Sequence, residues 1–444
     1  MSIAKRIDAL PMTPTMRKVI FLAGIGWLFD AMDQGMVSGV IASIGIDWEL
    51  GTAQKGILSS AGLLGMIFGA ALSGIVADRL GRRTVIVSTL VLFSAGSALC
   101  GFAVNYEMLL LCRFITGFGL GGELPAASTL VSEFSPVAKR GRNVVFLESF
   151  WAWGWIVAAL VAYLAIPLYG WRVAFFIGAV PALFAAVLRV AIPESPRYLE
   201  MRGRHDEADQ LVRTMEGEAG IEAPAPQEGG PPVAQRPAPL LKSFGKLWGK
   251  RHLRATLVLW VIWFGINFGY YGFVLWTPTL LTQRGLDMTT SFEFTLIMCL
   301  AQLPGYFVAG LLIEKLGRKP VLTVFLLGTA FAAWLFGQAI VPSQALAFGC
   351  LLYFFALGTW GCVYSYTPEM YSTDIRGAGT GWAMAFGRIG ALIAPMLVPL
   401  LYTAFGAGHG FTYVFMVLTA VFVIVALVVG VFGLETKGEA LKDN

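Results

Sequence analysis

The sequence predicts an all-α membrane protein in which twelve transmembrane helices form two six-helix bundles. Three observations carry that expectation. Hydrophobic residues make up 57% of the 444 and charged residues only 13%, with a mean hydropathy of +0.71; a soluble chain carries about twice that charge. Apolar runs fall at 18–44, 55–77, 84–104, 107–131, 143–168 and 172–192. They resume at 253–281, 290–313, 320–341, 344–368, 378–403 and 411–433. Each is long enough to cross about 30 Å of hydrocarbon as a helix. Third, Gly74-Ile75-Val76-Ala77-Asp78-Arg79-Leu80-Gly81-Arg82-Arg83 returns 236 positions later as Gly310-Leu311-Leu312-Ile313-Glu314-Lys315-Leu316-Gly317-Arg318-Lys319. Glu133 and Arg140-Gly141 return at the same offset as Glu369 and Arg376-Gly377. Two motifs sharing one offset imply a duplicated membrane unit, an arrangement in which transporters place the substrate site at the midplane between the copies.

The chain divides accordingly. Residues 1–17 are a polar, basic tail, 18–192 the first bundle, 253–433 the second, and 434–444 a terminal tail. Between the bundles, 193–252 begins with a short amphipathic helix to about Gly217. A Pro/Gly/Ala-rich stretch from about Glu218 to Pro239 follows and reads as a disordered linker. If both ends lie on the cytoplasmic side, 26 of the 32 Lys and Arg residues fall there and only Lys55, Arg172 and Arg284 fall outside. That asymmetry sets the orientation. The first apolar run continues into acidic residues, so no cleaved leader is expected.

Several function classes are disfavoured. The basic residues lie between apolar runs, which is no footprint for nucleic acid. Cys100, Cys112, Cys299, Cys350 and Cys362 lie in apolar stretches with no metal-ligand spacing. No nucleophile–base set appears, so neither an enzyme nor a cofactor is expected.

Each span-buried charge is a functional candidate, since its desolvation must be offset by a partner or a cavity. Asp30 and Asp33 lie three apart in the first span, on one face. Arg113 opens Arg113-Phe114-Ile115-Thr116-Gly117-Phe118-Gly119-Leu120-Gly121-Gly122-Glu123 in the fourth, Glu148 lies in the fifth, and Arg388 in the eleventh. A carboxylate paired with an arginine can take or release a proton as the pair is made or broken. The alternative is a structural ion pair. Arg388, apart from the acidic first half, suits a substrate carboxylate through its planar fork, unless backbone carbonyls or Glu148 hold it. Trp151, one turn from Glu148, with Tyr270, Trp360 and Tyr364, can stack on a flat ring, and Gln302 offers an uncharged donor and acceptor. Asp78/Arg82, Glu133/Arg140, Glu314/Arg318 and Glu369/Arg376 are expected as ion pairs that gate the cytoplasmic side.

The Gly-x-x-x-Asp-Arg-Leu-Gly-Arg-Arg motif, its echo, and Arg-x-x-x-Gly-x-Gly-x-Gly in span four resemble the major facilitator superfamily. Pro193-Glu194-Ser195-Pro196-Arg197 and Glu435-Thr436-Lys437 resemble the sugar-porter markers. Within that superfamily, the stretches Gly26–Asp33, Gly121–Ser128, Leu147–Trp155 and Ala385–Gly390 look like bacterial niacin transporters, relatives of the synaptic-vesicle SV2 branch. The resemblance implies uptake of nicotinate, and of nicotinamide, into the cell across the inner membrane by a monomer with both termini cytoplasmic. It implies that Asp33 and Arg113 match the pair linked to proton coupling in sugar porters. Asp30, Glu148, Tyr364 and Arg388 fall at or beside sugar-site positions, but charged groups replace most of the amides that would bind hydroxyls. The alternatives are another small aromatic acid or a sugar or polyol as substrate, or a transporter-shaped sensor or binding protein.

Overall fold

The computed structural model describes residues 3–221, 245–371 and 375–437. Among these, every regular element is a helix. The expected linker falls largely on 222–244, outside the described residues. The amino-terminal half begins with α1 (Ile3–Ala9). Its spans are α2 (Pro14–Asp47), α3 (Thr52–Leu80), α4 (Arg82–Gly101), α5 (Tyr106–Glu133), α6 (Val137–Leu164), and a sixth built from α8 (Arg172–Ala179) and α9 (Pro181–Ala191); a single turn, α7 (Ile166–Tyr169), precedes the sixth. Two short helices follow, α10 (Pro196–Met201) and α11 (His205–Glu218). The carboxy-terminal half contains α12 (Leu253–Val274), α13 (Thr277–Gln283), α14 (Met288–Leu316), α15 (Arg318–Gly337), α16 (Pro342–Glu369), α17 (Arg376–Ala404) and α18 (Gly406–Phe432). Ten of these helical spans, counting α8–α9 as one, are long and apolar enough to cross a membrane. With α2 and α3, 34 and 29 residues long, they make the twelve.

Elements end where the sequence leaves no helical partner. Asn105 and Asp287 cap α5 and α14 by accepting from the backbone N–H of Met108 at 2.8 Å and of Thr290 at 3.0 Å. The sixth span, expected as one run over 172–192, divides at Pro181, which has no N–H for the ladder. The amphipathic helix expected after Pro193 is also two pieces. They turn at Gly203, whose φ is +74°. Its apolar face is real: Tyr198, Leu199, Ala208, Val212 and Met215 are buried.

The duplication is visible in packing. A Cβ on Gly69 of α3 would lie 2.0 Å from the Phe118 carbonyl oxygen of α5, and a Cβ on Gly305 of α14 would lie 2.0 Å from the Phe354 carbonyl oxygen of α16. Both glycines and both carbonyls are 236 positions apart. Gly81 and Gly317, between α3 and α4 and between α14 and α15, both adopt positive φ, +97° and +102°.

The chain forms two compact units: 1–33 with 64–154 and 175–237, and 34–63 with 155–174 and 238–444. In the first, α4 lies along α5. Helix α1, expected only as part of a polar tail, buries Ile3 and Ile7 against α10 and α11. Its Arg6 is 8% exposed and reaches Glu216 at 2.8 and 2.7 Å and Asp209 at 2.5 Å. Partial burial alone would raise the Asp209 carboxyl, but the Arg6 and Arg213 guanidiniums outweigh it and hold it below the usual range. In the second unit, α14 packs on α16, α12 on α17, and α15 on α16 and α18. The far ends of α2, α3 and α6 also belong there: the Tyr271 hydroxyl donates to Gln34 Oε1 at 3.3 Å, and Ser60 Oγ donates to the Leu392 carbonyl at 3.0 Å.

Candidate functional site

Candidate functional side chains occur in both units. In the first, α2 carries Asp30 and Asp33, both fully buried. Arg113 of α5 donates from Nη1 to Asp33 Oδ2 at 2.9 Å and lies 5.8 Å from the centre of the Phe175 ring. The Ser97 hydroxyl of α4 is 3.0 Å from Asp33 Oδ1 and 3.1 Å from the Phe175 carbonyl, so its one proton can serve either. An ion pair this dry is stable only while intact, because losing one partner strands the other, at a cost of about 3–5 kcal/mol.

Glu148 of α6 is buried, and Trp151, one turn on, packs its ring 4.9 Å from that of Trp27 at 35°. Helix α6 approaches α2 closely because Gly154 lies against the Leu28 carbonyl.

In the second unit, the Tyr270 hydroxyl of α12 donates to Gln302 Oε1 of α14 at 3.3 Å, and the buried Gln302 Nε2 has no hydrogen-bond partner among the described residues. Trp360 and Tyr364 of α16 stack at 5.8 Å and 30°. The Tyr270 ring meets Trp360 edge-on at 5.9 Å, and the Trp360 Nε1 is buried with no hydrogen-bond partner among the described residues. Arg388 of α17 is half-buried, and no ion pair or hydrogen bond engages it among the described residues. Backbone carbonyls, one of the expected alternatives, do not hold it among the described residues. A guanidinium of this kind suits a small planar anion.

The repeated charges behave differently from the buried ones. Arg82 Nε lies 3.4 Å from Glu133, and Arg318 grips Glu369 from Nε and Nη2, each at 3.0 Å to its nearest oxygen. These are the same contact 236 positions apart. The pairing expected within Glu133/Arg140 is not the one formed: Arg140 binds the Ser132 carbonyl at 3.1 Å and Asp8 of α1 at 3.2 Å. Sequence spacing could not reveal that partner, because it comes from a helix 132 residues away. Glu314 is mostly exposed and only 3.8 Å from Arg318. The side chains of Asp78 and Arg376 lie outside the described residues.

Two carboxylates that spacing did not assign complete this layer. Glu194 Oε1 accepts from the backbone N–H groups of Arg82 and Arg83 at 3.0 and 3.2 Å. Glu435 accepts from those of Arg318 and Lys319 at 3.0 and 3.1 Å. Each cancels orphan donors at a helix start. A Cβ on Gly81 or Gly317 would strike these carboxylates, which is a second reason for glycine there. The markers around Glu194 and Glu435 were the available signal.

A duplicated twelve-helix bundle with buried, unrepeated charges defines a polytopic membrane transporter. The family described as sugar (and other) transporter matches residues 32–443. The chain belongs to that family, within the major facilitator superfamily. It is 46% identical over 443 residues, covering 100% of this chain and 99% of the relative, to a protein of Acinetobacter baylyi (strain ATCC 33305 / BD413 / ADP1) named niacin transporter NiaP. It is 29% identical to the synaptic vesicle 2-related protein of Xenopus laevis, covering 96% of this chain and 80% of that one. The xylose transporter XylE of E. coli, in a partially occluded inward open conformation, shares the fold with a TM-score of 0.75 at 21% identity, over 96% of this chain and 99% of that one.

Proposed function

We propose that the protein takes up niacin, as nicotinate and also nicotinamide, across the inner membrane by proton-coupled alternating access. It acts as a monomer with both termini cytoplasmic, the orientation that the charge asymmetry favours. The two bundles, 18–192 and 253–433, move against one another around the site. The relative named niacin transporter supports the substrate. The observation that carries the reading is Arg388, a half-buried guanidinium that no described residue neutralises.

Nicotinate is a flat anion with one ring nitrogen acceptor. Arg388 takes its carboxylate through two parallel N–H donors. Gln302 Nε2 donates to the pyridine nitrogen without needing a proton, which gives it an advantage over Asp30 and Glu148 in that role. Trp360 with Tyr364 on α16, and Trp151 on α6, supply ring faces, and Tyr270 holds Gln302 in place. Asp33 takes up the coupling proton from water as its pair with Arg113 opens, and gives it back to water as Arg113 returns and the pair re-forms. The ion pairs Arg82–Glu133 and Arg318–Glu369, with Asp78, Arg140, Glu314 and Arg376, gate the cytoplasmic side.

The test is uptake of labelled nicotinate into proteoliposomes with and without an imposed pH gradient, competed by nicotinamide, benzoate and glucose. Arg388→Ala should weaken nicotinate uptake far more than nicotinamide uptake, by about tenfold or more for loss of a charge-assisted bidentate contact. Equal losses would remove the carboxylate role. Asp33→Asn should abolish accumulation driven by the gradient while leaving nicotinate exchange measurable. Gradient-driven accumulation that survives in Asp33→Asn would remove its role.

A further inference from the structure

Glu123 of α5 has no part in the site described above. It is fully buried, and neither carboxylate oxygen has a hydrogen-bond partner among the described residues. Oε1 occupies the space a side chain on Gly26 of α2 would fill, 2.4 Å from that Cβ position. Along α5, Glu123 lies ten residues from Arg113 and ten from Glu133, about 15 Å from each, in the middle of the span. Nor is it part of the duplicated scaffold. The position 236 residues on is Thr359, whose hydroxyl bonds its own helix at the Phe355 carbonyl, 2.9 Å away. The corresponding position of the second half therefore carries a hydroxyl satisfied by its own helix, and no carboxylate.

We propose that Glu123 is a proton-binding site of the transport cycle, separate from the Asp33–Arg113 pair. An ionised carboxylate with no donor and no cation is strongly disfavoured away from water, and a proton is the ligand that removes the charge. Among the described residues, the surrounding elements offer no other remedy. Helix α2 presents Asp30 one turn beyond Gly26 on the same face, a like charge, and Asp33, already engaged by Arg113. Helices α3 and α4 present Ser73 and Thr89 beside the adjacent Gly122, while their Arg79, Arg82 and Arg83 are at the end of the bundle. Helix α6 adds Glu148, again acidic. The proton goes on to one carboxylate oxygen from water and leaves to water when α2 and α5 part, with no electron transfer. Glycine at position 26 is what gives the carboxyl its place between the two helices.

The proposal rests on the proton-coupled reading, and the experiment separates the two. The purified protein in proteoliposomes is titrated while the infrared absorption of protonated carboxyl groups is followed in H2O and D2O. Gradient-driven uptake and exchange of nicotinate are measured on the same preparations. Glu123→Gln should remove one protonated-carboxyl band, keep exchange and lose gradient-driven accumulation. Glu123→Asp should shift that band instead of removing it, which carries the assignment even if Glu123→Gln fails to fold. A band unchanged in both variants overturns the proposal. Full accumulation in Glu123→Gln overturns the role in the cycle. If the wild type shows no gradient-driven uptake yet Glu123→Gln loses the band, the coupling reading fails and the proton site stands.

Discussion

Glu435 illustrates how one side chain can hold a helix start. Its carboxylate accepts from four backbone donors: Arg318 at 3.0 Å, Lys319 at 3.1 Å, Thr436 at 2.9 Å and Lys437 at 2.8 Å. Partial burial pushes its acidity down, but these N–H groups outweigh burial and hold the carboxyl below its ordinary range. A depressed folded value means that the stabilisation is full above the ordinary carboxylate range and is lost as pH falls through the folded value. Glu435→Gln should therefore lower stability near neutral pH by about 1–2 kcal/mol, the scale of charge-assisted bonds at a partly solvated helix end. Thermal unfolding in detergent should show that gap narrowing as the pH is lowered below the ordinary carboxylate range, and closing once the folded wild-type carboxyl also takes its proton. An equal gap at every pH would mean that shape matters here and charge does not. The carboxylate lay in a recognisable sequence marker, but its partners are backbone groups 117 and 116 residues earlier. No spacing rule finds such a bond.

At the scale of elements, the spans were legible because lipid leaves helices little alternative. Their close contacts were less so. Gly69 and Gly310 both sit in glycine-bearing apolar stretches, yet only one is packed. A Cβ on Gly69 would meet backbone at Phe118, whereas a Cβ on Gly310, within α14, meets nothing within 4 Å. Gly69→Ala should force α3 away from α5 and cost about 1–3 kcal/mol as overpacking. Gly310→Ala should be neutral or slightly stabilising, since it only removes unfolded-state freedom in a helix. Detergent-solubilised yield and thermal unfolding distinguish them, and equal behaviour would contradict the packing. The same limit hid the clasp of α1: isoleucines at 3 and 7 are too few for a hydrophobic period, and the Arg6 acceptors lie more than 200 residues away. Only the folded chain makes Arg6 a buried residue.

At the scale of the whole molecule, duplication sorts scaffold from function. Gly69, Phe118, Arg82 and Glu133 have counterparts in Gly305, Phe354, Arg318 and Glu369 that make the same contacts. At the same offset, Arg113 is matched by Gly349, Glu123 by Thr359, Glu148 by Met384, and Arg388 by Ala152. The repeated charges were readable from sequence as pairs of motifs, whereas the unrepeated ones were readable only as charges in apolar runs. What they touch needed coordinates. One contact within the second unit tests whether transport requires the halves to separate. A Cβ on Gly56 of α3 would lie 3.3 Å from the Met396 Cα of α17 and 3.2 Å from the Pro395 carbonyl. That closeness suits a disulfide, whose Cβ atoms sit about 3.5–4.5 Å apart. Gly56→Cys with Met396→Cys should cross-link under mild oxidation while the native thiols, buried or half-buried, react slowly. If α3 must leave α17 in every cycle, the cross-linked protein should bind nicotinate yet transport none, and reductant should restore uptake. Undiminished transport through the closed disulfide would mean that this contact persists throughout, and the alternation would have to pivot about it.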